Sequence, residues 1–200
     1  MLAAFVWLAM VAIAPPPPMP PLALASLQPV FADTPGMQHA MHALGFDAAV
    51  AVLREHRSGV DESMAVAAQT GRSMGPGIAD AYCRAITGKP RASAALDRLT
   101  ADELLVLGVL VATEDSTPAH VRQAQSILDR AKKKLPKSFT VALARAAALP
   151  DEGAASRCRI FHAIEAVLRD PTLEMDMRPG ALDTILDITW DDRLECPARH

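Results

Sequence analysis

The chain has 200 residues, half of them hydrophobic, with 20 Lys and Arg against 23 Asp and Glu and a formal net charge of −3. So mild a balance gives no electrostatic footprint for nucleic acid or for an anionic membrane surface. Aromatic residues make up 4%, too few for the stacking platform that single-stranded nucleic acid binders use.

The first 32 residues contain no ionisable side chain, and Asp33 is the first. Leu2 to Ala14 is an uninterrupted apolar run of 13 residues, enough for the apolar core of an export signal and short of the roughly 20 residues that span a bilayer. The prolines from Pro15 to Pro21 stop any helix there. Two small-x-small cleavage patterns follow, Ala23-Leu24-Ala25 before Ser26 and Val30-Phe31-Ala32 before Asp33. The second coincides with the onset of charge. The expected organisation is therefore a cleaved leader over 1–32, one helical domain over 33–190 and a polar tail over 191–200. After cleavage no stable membrane anchor remains, and the compartment is periplasmic or extracellular. The leader departs from the usual pattern in lacking Lys or Arg before its apolar run. A true start downstream, for example at Met37, would make the protein cytoplasmic.

The body is rich in Ala and Leu, good helix formers. Met37–His56 reads as a helix, bent at Gly45. Asp61 is placed to cap a second, through about Arg72. The glycines and Pro76 between Gly71 and Gly77 read as a loop. Ile78–Ile86 and Ala92–Leu99 read as short helices. Thr100-Ala101-Asp102-Glu103 is a capping box, and the helix it opens, to about Thr113, is apolar on every side, as a central core helix should be. Ser116-Thr117-Pro118 starts the next helix, with Pro at its first position. Val121, Ala124, Leu128, Ala131 and Leu135 form its apolar stripe. Lys132, Lys133 and Lys134 close it, where cations suit the helix dipole; a patch for an acidic partner is the sharper reading of the same run. Ser138 caps a helix over Phe139–Leu149, Ala154–Arg169 forms another, and Pro179 begins the last.

This punctuation predicts an all-α protein of antiparallel helical hairpins, stacked as a small bundle or a short α-solenoid. The stretch Ile127-Leu128-Asp129-Arg130-Ala131, then Leu135-Pro136, then Phe139 and Ala142, resembles part of a tetratricopeptide-type repeat. The resemblance covers about one unit, and the aromatic and Leu-Gly signature of the first helix is missing. It implies a face that holds a protein or peptide partner.

Of three cysteines, Cys83, Cys158 and Cys196, two can pair in an oxidising compartment. A Cys158–Cys196 bridge would pin the tail to a core helix; the alternative is three reduced thiols. Met37, His39, Met41 and His42 supply the thioether and imidazole ligands that copper favours. On a helix the two His face one side and the two Met another, so the alternative is surface His and core Met. Cys158 and His162, at i and i+4, could pair as nucleophile and base; a core Cys beside a half-buried His is the plainer account. Adjacent acidic pairs sit at helix starts, where the dipole explains them. There is no nucleophile elbow, phosphate-binding glycine loop, HExxH or calcium loop, and no cofactor is implied. The expectation is an exported helical protein that binds a protein or peptide partner without catalysis, with a periplasmic copper binder and a cysteine-dependent enzyme as alternatives.

Overall fold

The structure, a computed structural model, describes residues 24, 27–55, 59–114, 117–149 and 154–196. Nine α-helices run through the described residues: α1 Pro35–His42, α2 Phe46–Glu55, α3 Val60–Met74, α4 Ile78–Thr87, α5 Ala101–Glu114, α6 Pro118–Lys134, α7 Phe139–Ala147, α8 Ala154–Leu168 and α9 Pro179–Glu195. No strand occurs among them; Ser138 and Glu174 make one isolated parallel bridge. The protein is an all-α helical bundle.

Its centre is α5. The Glu103 amide donates to the Thr100 hydroxyl at 3.2 Å, while the Thr100 amide donates to the Glu103 carboxylate at 2.8 Å. This closes the capping box and satisfies donors the first turn would otherwise leave bare. Every residue from Leu104 to Thr113 is buried, because α3, α4, α6 and α7 all pack against this helix. Each Leu or Val it buries contributes about 1.5–3 kcal/mol. Two glycines set the distances. A Cβ on Gly108 would sit 2.7 Å from Leu128 Cγ on α6, and one on Gly71 of α3 would collide with the Thr113 hydroxyl.

α6 buries Val121, Ala124, Ile127, Leu128 and Ala131, the stripe read from spacing with Ile127 added and without Leu135, which is half-buried just past the helix end. The Ser138 hydroxyl accepts from the Val141 amide at 3.1 Å and so caps α7. Asp176 reinforces this cap from 36 residues away, accepting from the Thr140 amide at 2.8 Å.

Several local expectations give way. Met37–His56 is two helices: α1 starts early, at Pro35, with the Thr34 hydroxyl accepting from the Met37 amide, and Gly45 takes a left-handed φ of 84° that breaks the chain before α2. Gly59, not Asp61, caps α3. The Asp61 carboxylate accepts instead from its neighbour Glu62 at 2.8 Å and from the Arg178 amide at 3.0 Å. Gly71 belongs to α3, which continues to Met74; it is small because α5 is close, not because the chain turns. Ala92–Leu99 is two 3-10 turns, Arg91–Ser93 and Leu96–Arg98. So short a stretch, with Ala92, Ser93 and Ala95 exposed, buries too little to offset helix nucleation. The helix α9 runs to Glu195, beyond the start of the expected polar tail.

The end of the charge-free segment is part of the packing. Gln28–Phe31 forms a 3-10 turn against α3 and α9. Leu27 and Phe31 are 0% exposed and Leu24 is 1% exposed. The apolar run Leu2–Ala14 and the proline block lie outside the described residues.

Candidate binding groove along α6

The residues singled out from the sequence are scattered. Met37 is completely buried in the core under α3, whereas His39, Met41 and His42 are exposed on α1. The four are not brought together: a single ion bound by all of them would have to draw the Met37 thioether out of the core. No group of three or more His, Cys, Asp or Glu among the described residues is arranged to hold a metal ion.

Cys158 on α8 and Cys196, just past α9, are joined by a disulfide with a Cα–Cα distance of 5.3 Å. A sulfur held in a disulfide is not a thiolate, so in this state Cys158 offers no nucleophile to His162. His162 Nδ1 lies 3.5 Å from Glu165 Oε2, and its ring meets Phe161 edge-on with centroids 5.2 Å apart. Cys83 is free and buried on α4. Burial pushes its thiol up from the ordinary value, against a contact with the Thr87 hydroxyl that acts the other way. Such a thiol is a poor nucleophile at neutral pH.

The described surface does contain a built concavity. It runs along the solvent side of α6 and across to the turn Leu96–Arg98, with a volume of about 620 Å³, and Val121 at its floor. Charged side chains make its walls. Arg130 pairs with Asp97, and Arg145 pairs with Asp129. Lys134 donates to the carbonyls of Asp97 at 3.0 Å and Leu99 at 2.7 Å. That lysine therefore ties the turn to the end of α6, 35 residues later, and is not merely a dipole complement. Gln125 donates to the Arg145 carbonyl at 2.7 Å and fixes the α7 side.

What remains is Arg122 and Lys133, both exposed and both lining the groove. Neither has an acidic partner among the described residues. Four cations (Arg122, Arg130, Lys133, Lys134) face two carboxylates (Asp97, Asp129), a local balance of +2 on a chain whose formal net charge is −3. The arrangement can hold carboxylates by charge-assisted hydrogen bonds, with apolar contact at Val121. Sequence reasoning reached Lys133 and Lys134 through the basic run. It missed Arg122 and Arg130, because their relation to Asp97 appears only once the turn has folded across α6.

No protein-family model matches the chain, and no curated protein or solved structure is significantly similar to it.

Proposed function

We propose that this is an exported helical protein that binds a protein or peptide partner rather than a catalyst, and that it holds an acidic segment of that partner along α6. One observation carries the reading: a groove of about 620 Å³ in which Arg122 and Lys133 face solvent with no acidic partner among the described residues. A stacked-hairpin architecture suits the role, since rigid helices hold the cations in place before the ligand arrives. The charge-free leader supports export.

The test is a fluorescence titration with a labelled Glu-rich peptide, against a Lys-rich peptide of equal length. The Glu-rich peptide is expected to bind and to weaken between low and physiological salt, as exposed ion pairs do. Arg122→Glu with Lys133→Glu is expected to weaken it at least about tenfold, the effect of losing roughly 1.4 kcal/mol. Equal binding of both peptides, or no change in the doubly reversed protein, overturns the reading.

A further inference from the structure

Along α8 four side chains stand in one row. Cys158, His162, Glu165 and Arg169 follow at spacings of 4, 3 and 4, the intervals that make neighbours of side chains on one helix face. Helical side chains lean toward the N-terminus, so each member covers the turn before it. Arg169 donates to Glu165 Oε1 at 2.6 Å, and Glu165 Oε2 lies 3.5 Å from His162 Nδ1. A carboxylate at Nδ1 orients the ring and leaves Nε2 for another neighbour. The next member of the row is Cys158, half-buried like its bridge partner Cys196. A sulfur, a base one turn away and a carboxylate that orients the base are the parts of an activated thiol. Cys196 has the opposite setting. It follows the C-terminal end of α9 at Glu195, where the helix dipole disfavours an anion.

We propose that Cys158 and Cys196 form a thiol–disulfide exchange site for small disulfides, with reduced Cys158 as the attacking sulfur and Cys196 as the resolving one. The site lies apart from the α6 groove and goes beyond the binding role. His162 takes the Cys158 proton, and the thiolate attacks one sulfur of the incoming disulfide. That S–S bond breaks, a mixed disulfide forms on Cys158, and the first small thiol leaves with the proton from His162. Cys196 then attacks Cys158 Sγ, its own proton passing to the second leaving thiol, and the bridge across 38 residues closes. Two electrons and two protons pass from the protein to the small disulfide, which ends as two thiols. The exchange is stoichiometric, one small disulfide per chain. Glu165 is a positioning residue, acting through His162.

The experiment reduces the full chain, removes the reductant and adds dithiodipyridine, a small aromatic disulfide, at about pH 5, where an ordinary thiol is almost wholly protonated. Rates are followed by absorbance and adducts are mapped by mass. Cys158 in the Cys196→Ser protein is expected to react at least about tenfold faster than Cys196 in the Cys158→Ser protein, the net of more thiolate and lower intrinsic nucleophilicity. His162→Gln is expected to remove that advantage, and Glu165→Gln, which keeps the side chain's size, to reduce it. Neither is expected to change the rate at Cys196 in the Cys158→Ser protein, which a general loosening of the fold would raise. Cys196 reacting as fast as Cys158, or an unchanged Cys158 rate in either His162→Gln or Glu165→Gln, overturns the proposal. All of these outcomes leave the reading of the α6 groove untouched.

Discussion

Three cases at single positions, the first a pair of glycines, show how neighbours decide what a side chain does. Gly108 and Gly71 look alike in the sequence, and glycine there reads as a weak helix position or a loop. Each is the contact point of two helices. Gly108→Ala should push a methyl into Leu128, whose Cγ lies 2.7 Å from the new Cβ. We expect a loss of about 1–3 kcal/mol, measured as a lower urea midpoint with an unchanged slope. A gain in stability, the usual result of Gly→Ala in a free helix, would contradict the packing described. Glu114 is the second case. Its side chain, 4% exposed, accepts from the Gly77 and Ala79 amides at 2.9 and 2.7 Å and pairs with Arg91 at 3.4 Å. It caps α4 from 35 residues away, a role no local signature announces. Glu114→Ala should cost about 2–4 kcal/mol, since it strands two amides and leaves the mostly buried Arg91 with Asp80, at 3.5 Å, in place of two carboxylates. A loss below about 0.5 kcal/mol would contradict this. The third is Cys83. Burial holds its thiol above the ordinary value, so the folded state binds this proton more tightly than the unfolded chain. Its contribution is fully present below the unfolded pKa and is lost as pH rises past it. Stability should therefore fall on the alkaline side of about pH 9, and Cys83→Ala should flatten that limb of the urea-midpoint profile.

At the scale of elements, the sequence is most readable where a signal is local. The Thr100–Glu103 box, Pro118 at the start of α6 and the Ser138 cap are all decided within four residues, and the structure places all three. The stretch Ala92–Leu99 misleads because Ala and Leu favour helix only where burial or length supports it. The sequence places the start of the first helix two residues late, at Met37, because the Thr34-Pro35 start precedes the first residues of its apolar face. The disulfide joins two elements that the sequence could link only as one of three pairings. It ties the end of α9 to α8 across 38 residues, and a loop of that length is worth roughly 4 kcal/mol in the chain-entropy account. Thiol titration checks it. The native protein should show no rapidly reacting thiol, the unfolded protein one without reductant, and three after reduction. Three reactive thiols in the unreduced, unfolded protein would show that the bridge is absent, and reductant would then leave the unfolding midpoint unmoved.

For the whole molecule, the fold class was legible because one helix, α5, is apolar all round and must be wrapped by others. The groove was not, because its walls come from residues more than 30 apart, such as Arg130 with Asp97 and Lys134 with Leu99. A basic run at a helix end looks the same whether it faces bulk water or a cleft. A second surface competes for attention: Met41, Leu44 and Phe46, at the turn between α1 and α2, are exposed, Leu44 by 91%. It offers apolar contact without Lys or Arg, and a partner docking there would owe nothing to Arg122 or Lys133. Amide hydrogen exchange separates the two surfaces most directly, comparing the protein alone with the protein saturated by the Glu-rich peptide. Recognition along α6 requires slower exchange in residues 118–134 and the turn at 96–98, lost in the Arg122→Glu, Lys133→Glu protein. Protection confined to residues 41–46, or none in α6, would contradict it.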